Sequence, residues 1–177
     1  GSSDWRWADP PDDRPMAGIL TSRALWIRYQ VDLTNRNRLR GNTVARIFLC
    51  SDFLDREGEF EFTALAESLA DVETAIKTEP SCTGCHATLD PLASFFGGFQ
   101  ASANITLPQL GGFSDFKHQW FSQITQPMYY GFPGEDISDL GSYIASDPRF
   151  TQCTVERIWE GFTGTKPSRD GSFVSLV

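Results

Sequence analysis

Apolar residues recur at helical spacing through much of the chain. The clearest stripe joins Val44, Ile47 and Phe48, at positions i, i+3 and i+4, and it ends at Cys50. Looser patterns predict helices over residues 17–29, 60–69 and 72–76, the last of them with Asp71 as its N-cap. The hydrophobic pattern therefore predicts a mainly α fold.

Two further helices are predicted near the end of the sequence. The first covers residues 135–146 and places Ile137, Leu140 and Ile144 on one face. The second follows Asp147-Pro148, because proline is favoured in the first turn of a helix, and we expect it to stop at Gly164. Its apolar face consists of Val155, Ile158, Trp159 and Phe162.

The segments between these helices are predicted to be irregular. Residues 1–15 are rich in proline and aspartate, which indicates an extended N-terminal arm. Residues 34–41 form an arginine-rich turn, and the weak alternation near 98–118 predicts a small hairpin or irregular insert. We expect residues 16–177 to fold as a single domain, and the chain to be a piece of a longer protein.

Composition narrows the classes of partner. The formal net charge of −8 disfavours nucleic acid and anionic membranes, and it favours a partner protein with a basic docking patch. No apolar run in the sequence approaches the length of a membrane span.

One motif carries specific chemistry. Cys82-Thr83-Gly84-Cys85-His86 is a complete C-x-x-C-H unit, the pattern at which a c-type haem is attached. The two thiols add to the two vinyl groups of one porphyrin, and the following imidazole becomes the proximal ligand of the iron. The sequence thus predicts one covalent haem c held by Cys82, Cys85 and His86.

A cysteine pair at this spacing also occurs in zinc sites and in thioredoxin-like redox proteins. A zinc site would need further ligands, and Cys50, Cys153 and His118 do not form a second close-spaced pair. A thioredoxin-like redox pair should open a helix after a strand, and the sequence lacks that pattern.

Several segments together resemble a family of secreted proteins. These are Arg14-Pro15-Met16-Ala17-Gly18-Ile19-Leu20-Thr21, Arg38-Leu39-Arg40-Gly41, Phe48-Leu49-Cys50, the haem motif with its tail Leu89-Asp90-Pro91-Leu92, and the closing segment 140–164. The set is similar to the planctomycete-type cytochrome c modules. The resemblance covers the chain from about Arg14 onward, and it implies a cytochrome c-like helical domain in a periplasmic or extracellular protein.

The second axial ligand is expected to be Met128. It lies in a turn-rich loop followed by an acidic-capped helix, which is similar to the distal loop of small cytochromes c. His118 and Met16 are the alternatives, and an open five-coordinate iron is a further one.

Three residues are predicted to support the haem. Arg38 and Arg40 could each offer paired donors to a propionate, although a solvated basic turn is the simpler interpretation. A backbone carbonyl near Pro91 could accept the Nδ1 proton of His86 and fix its orientation.

The two remaining cysteines, Cys50 and Cys153, lie outside the motif. Haem is attached to C-x-x-C-H outside the bacterial cytoplasm, so we expect an oxidising compartment and a Cys50–Cys153 disulfide.

The leading functional hypothesis is a mono-haem cytochrome module that carries single electrons between redox partners, and not an enzyme. One alternative is a haem enzyme or sensor whose open distal face takes peroxide or a diatomic ligand. Another is an interaction domain in which the haem is structural.

Overall fold

A computed structural model describes residues 14–29, 37–55, 69–99 and 126–167. These residues are mainly helical, which confirms the prediction of a mainly α fold. The helices are α1 (Arg23–Arg28), α2 (Arg38–Phe48), α3 (Leu69–Thr78), α4 (Pro80–Ser94), α5 (Ile137–Ser146) and α6 (Pro148–Thr163). Short 3-10 turns cover Gly18–Thr21 and Phe53–Asp55, and the strands β1 (Met128–Tyr129) and β2 (Phe132–Pro133) form a small antiparallel hairpin.

The N-terminal helix predicted over residues 17–29 is divided in two. The 3-10 turn Gly18–Thr21 comes first and α1 follows, with the break at Ser22. The Thr21 hydroxyl accepts a hydrogen bond from the amide of Ala17 at 2.6 Å, which closes the turn locally. Trp26 is buried on the inner side of α1, and its indole N–H donates to the carbonyl of Leu20 at 2.8 Å.

The arginine-rich segment is a helix start and not a turn, which corrects the prediction for its second half. Asn37 adopts the left-handed conformation, with φ of 66°, and α2 begins at the next residue. Asn37 is buried, and its side-chain amide donates to the carbonyl of Phe96 at 3.1 Å. This contact holds the chain immediately before α2. Since α2 begins at Arg38, both Arg38 and Arg40 lie in the first turn of that helix.

Helices α2 and α4 cross closely at Gly41. A Cβ atom at this position would lie 3.2 Å from Cδ1 of Leu89 and 3.4 Å from the amide nitrogen of Ala93. A larger residue at 41 would force the helices apart. The absence of a side chain therefore lets the first turn of α2 approach the C-terminal half of α4 closely.

Helix α6 begins and ends as the sequence predicts, whereas α5 ends at Ser146 as predicted but begins at Ile137, two residues later than expected. Asp136 caps α5 by accepting from the amide of Ser138 at 2.7 Å, and Asp147 caps α6 by accepting from the amide of Arg149 at 2.8 Å. Gly164, with φ of 68°, ends α6 in the left-handed conformation that glycine adopts easily.

A disulfide joins Cys50 to Cys153, the pair expected from the sequence. Their Cα atoms are 5.3 Å apart, within the usual range for a disulfide. The bridge ties the residues that follow α2 to the first half of α6. Nearby, the rings of Phe48 and Phe150 lie 6.2 Å apart between centroids.

The core lies between α2, α4, α5 and the aromatic turn that follows α4. Helix α4 ends at Ser94, before the paired glycines Gly97 and Gly98. The largest fully buried apolar side chains are Trp26, Phe96, Phe99, Leu92, Ile137, Leu140 and Val44.

Some predictions lie outside the described residues. They are the arm over residues 1–13, the helix over 60–68, most of the insert near 98–118, and His118. No helix within the described part of the chain is both long enough and apolar enough to span a bilayer.

Candidate haem site

The C-x-x-C-H motif is entirely helical. Pro80 occupies the first position of α4, and the helix continues through the motif to Ser94. Cys82 and Cys85 are separated by three positions and Cys82 and His86 by four, so all three side chains lie on one face of the helix. Helix formation thus places Cys82 one turn away from both Cys85 and His86.

The two halves of α4 have different environments. Pro80, Ser81 and Gly84 are exposed, whereas Leu89 and Leu92 are buried in the core. The motif therefore lies on the half of the helix that reaches the surface, and the buried half anchors it.

Both thiols of the motif are free and partly exposed. The Cys85 sulfur lies 4.0 Å from the carbonyl oxygen of Phe53, at the 3-10 turn that follows α2. Thiols that are neither buried nor paired are available for covalent attachment.

His86 is held by a carboxylate one turn later in the same helix. Its Nδ1 lies 2.9 Å from Oδ1 of Asp90, and both side chains are 23% exposed. Among the described residues none bonds to Nε2, so this is the ring nitrogen that a metal would take.

Arg38 completes the arrangement from α2. Its Nε donates to Asp90 Oδ1 at 2.6 Å and its terminal nitrogen donates to Oδ2 at 2.9 Å. Burial alone would raise the pKa of Asp90, but the hydrogen bonds from Arg38 and His86 outweigh it and lower the pKa to about 2. Asp90 is therefore ionised at neutral pH.

The acceptor predicted for His86 is corrected by this geometry. The carbonyl expected near Pro91 does not take the Nδ1 contact, because the Asp90 side chain does. Pro91 is buried inside α4, where its ring nitrogen cannot donate the usual helical hydrogen bond. The spacing of four between His86 and Asp90 was the available signal, since such pairs are neighbours on a helix.

Arg40 does not join the site, which corrects the propionate role considered for it. Its side chain is 1% exposed, and a terminal nitrogen donates to the Asn37 side chain at 3.0 Å and to the Phe99 carbonyl at 3.1 Å. The guanidinium also lies over the Trp26 ring, 5.2 Å from the centroid, and burial lowers its pKa to about 9. Arg40 is a core residue, whereas Arg38 faces α4.

Met128 is half-buried in β1, and β1 packs against α4. The hairpin that carries it is tightly defined, since Tyr130 and Gly131 at its turn both have positive φ, 48° and 95°. Met16, the rival from the N-terminal segment, is 65% exposed. The element that carries Met128 thus lies beside the helix that carries the motif.

The donor set fits a covalent haem. Attachment requires two free thiols and an imidazole with one ring nitrogen available, and α4 supplies all three. Within the described ranges no three or more His, Cys, Asp or Glu side chains converge to hold a bare metal ion. Haem attachment does not need such convergence, because the sulfurs bond to porphyrin carbons and not to the iron.

Comparison of the chain with protein-family models, with curated proteins and with solved structures finds no match.

Proposed function

We propose that this chain is a mono-haem c-type cytochrome module that carries single electrons between redox partners. The observation that carries the proposal is that Cys82, Cys85 and His86 lie on one face of α4. Nδ1 of His86 contacts Asp90, so Nε2 is the ring nitrogen available to a metal. A haem bound there supplies an iron that changes oxidation state by one electron.

The residues of the chain have separate tasks in this proposal. Cys82 and Cys85 would each hold the haem through a thioether, because the S–H bond of each thiol would add across one vinyl group and place its hydrogen on the neighbouring carbon. This addition needs no oxidant. His86 offers Nε2 to the iron, and the buried half of α4 keeps the ligand in place.

Met128 is the proposed second ligand. The packing of β1 against α4 supports it, and so does the exposure of Met16. A thioether ligand would favour the reduced iron more than a second imidazole ligand would, which suits an electron carrier.

The proposed location is the periplasm or the extracellular space of a bacterium. The Cys50–Cys153 disulfide supports this location, because disulfides persist in oxidising compartments. The resemblance to secreted cytochrome modules points the same way. Because this chain has a net charge of −8, the proposed redox partner presents a basic patch. Electron transfer between the two proteins should slow as ionic strength rises.

A second function is favoured by one observation. A carboxylate on the proximal histidine increases the electron donation of that ligand, which stabilises oxidised iron and suits a haem enzyme with an open distal face. Visible spectra of both oxidation states separate the two functions. A six-coordinate low-spin spectrum unchanged by carbon monoxide supports the electron carrier, and a high-spin spectrum that changes with carbon monoxide supports the enzyme or sensor.

A further inference from the structure

Three side chains form a chain of hydrogen bonds from α2 to the candidate iron ligand. Arg38 grips Asp90 through both carboxylate oxygens, at 2.6 and 2.9 Å, and Asp90 Oδ1 contacts His86 Nδ1 at 2.9 Å. The Gly41 crossing brings the two helices close enough for this contact. The arrangement therefore depends on tertiary packing and not on α4 alone.

The geometry decides which ring nitrogen of His86 carries the proton. Arg38 donates to both oxygens of Asp90, so the carboxylate is the acceptor in these contacts, and Nδ1 must carry the hydrogen of the contact with Asp90. Nε2 then has its lone pair free. Because Arg38 holds both oxygens of Asp90, the carboxylate cannot rotate away from the ring without losing the bidentate contact.

We infer that Asp90, held by Arg38, is a positioning residue that strengthens His86 as an iron ligand and lowers the reduction potential of the bound haem. The inference rests on the proposed function. A backbone carbonyl in the same place would present a neutral acceptor, whereas Asp90 presents the negative end of an ion pair. Negative charge beside the ligand stabilises oxidised iron over reduced iron, and partial burial limits its screening by water.

The positive charge of Arg38 opposes part of this effect. Arg38 bonds the carboxylate and not the ring, however, whereas His86 contacts Asp90 Oδ1 directly, so the charge nearest the ring is negative. The ion pair consequently acts on the imidazole as a dipole whose negative end faces the ring.

The first test is the midpoint potential of the haem-loaded protein. Asp90→Asn keeps the size and an acceptor oxygen but removes the charge, and the potential should rise. Glu135→Gln is the matched control, since it removes an exposed carboxylate two residues before α5 and should shift the potential much less. A shift in Asp90→Asn no larger than the control, or a fall, would overturn the inference.

The second test reads the ring directly by nitrogen NMR of the full chain without haem, in which no iron occupies Nε2 and fixes the tautomer. The chain has two histidines, so a His118→Gln variant assigns the His86 signals. The proton should be on Nδ1 in the parent. Arg38→Gln should give a mixture of tautomers, and Arg38→Lys, which keeps the charge and one hydrogen bond, should restore the Nδ1 form. An Nε2 proton in the parent, or no change in Arg38→Gln, would contradict the positioning role.

The two proposals fail in different ways. If the purified protein carries no covalent haem, the proposed function is wrong, and the tautomer of His86 still decides whether Asp90 and Arg38 orient the ring. If haem is attached but Asp90→Asn leaves the potential at the control value, the function stands and the inference falls.

Discussion

The disulfide between Cys50 and Cys153 holds the end of α2 against α6 across a sequence separation of 103 residues. Cys153 is buried, and Cys50 has a positive φ of 49°, so the chain turns sharply where the bridge begins. The opposite end of α2 carries Arg38, which grips Asp90. One helix thus connects the covalent bridge to the candidate haem site.

Removal of this disulfide should destabilise the fold strongly. In the chain-entropy model, a loop of this length contributes about 4 to 5 kcal/mol by restricting the unfolded chain. The Cys50→Ala, Cys153→Ala double variant should lose most of that free energy in urea unfolding. Addition of a reducing agent should lower the stability of the parent but leave the variant unchanged. A loss below about 1 kcal/mol would contradict this role.

Gly41→Val should separate α2 from α4. The added methyl groups meet Leu89 and Ala93, and overpacking of this kind costs about 1 to 3 kcal/mol. The Arg38–Asp90 contact should weaken with it. Gly161→Ala is the control, because nothing lies within 4 Å of that position in α6, and it should gain up to about 1 kcal/mol. Equal unfolding free energies for the two variants would show that the crossing is not tight.

Asp147 should make the fold sensitive to acid. Its carboxylate accepts from Arg149 and from the Tyr129 hydroxyl, the latter at 2.6 Å. The Arg149 hydrogen bonds are the main reason that its pKa is lowered to about 2. Since the folded-state pKa is below the unfolded-state value, this stabilisation is present above about pH 4 and is lost as the pH falls towards 2.

The variant Asp147→Asn isolates this charge, since asparagine caps helices as well as aspartate does. It should cost about 1 kcal/mol near neutral pH, a figure reduced for the exposure of Arg149, and the difference from the parent should vanish near pH 2. Glu135→Gln should stay within about 0.5 kcal/mol of the parent throughout. A difference that persists unchanged at low pH would contradict the assignment.

Met128→Ala should change the spectrum of the haem-loaded protein. Loss of a thioether ligand abolishes the weak deep-red band of sulfur-to-iron charge transfer and lowers the potential. Met16→Ala is the control and should leave both unchanged, because that side chain is largely exposed. An unchanged spectrum in Met128→Ala would make Met128 a packing residue and return His118 or an open site to consideration.

Local sequence signals were sufficient to predict that the two C-terminal helices form. Asp147-Pro148 and Gly164 are start and stop residues whose effect depends only on their immediate neighbours, and the structure uses both as predicted. The same holds for the apolar face of α5. Where the backbone signal is local, the sequence predicts the element closely.

Tertiary contacts explain the errors. Arg38 and Arg40 look alike in the sequence, yet one pairs with Asp90 and the other is buried against Trp26 and the Phe99 carbonyl. Their different roles follow from the crossing at Gly41 and from the contact of Asn37 with Phe96, neither of which has a local signature. The spacing of His86 and Asp90 could be read from the sequence, but the bidentate hydrogen bonding of Arg38 to the Asp90 carboxylate could not.

The central claim is covalent attachment of one haem to α4. The most direct measurement is denaturing mass spectrometry of the full chain produced with haem c maturation in a bacterial periplasm. The account predicts the chain mass plus one haem, with the added mass on the peptide that contains Cys82 and Cys85, and it predicts that the Cys82→Ser, Cys85→Ser double variant carries none. A chain of unmodified mass, with both thiols free after the same maturation, would contradict it.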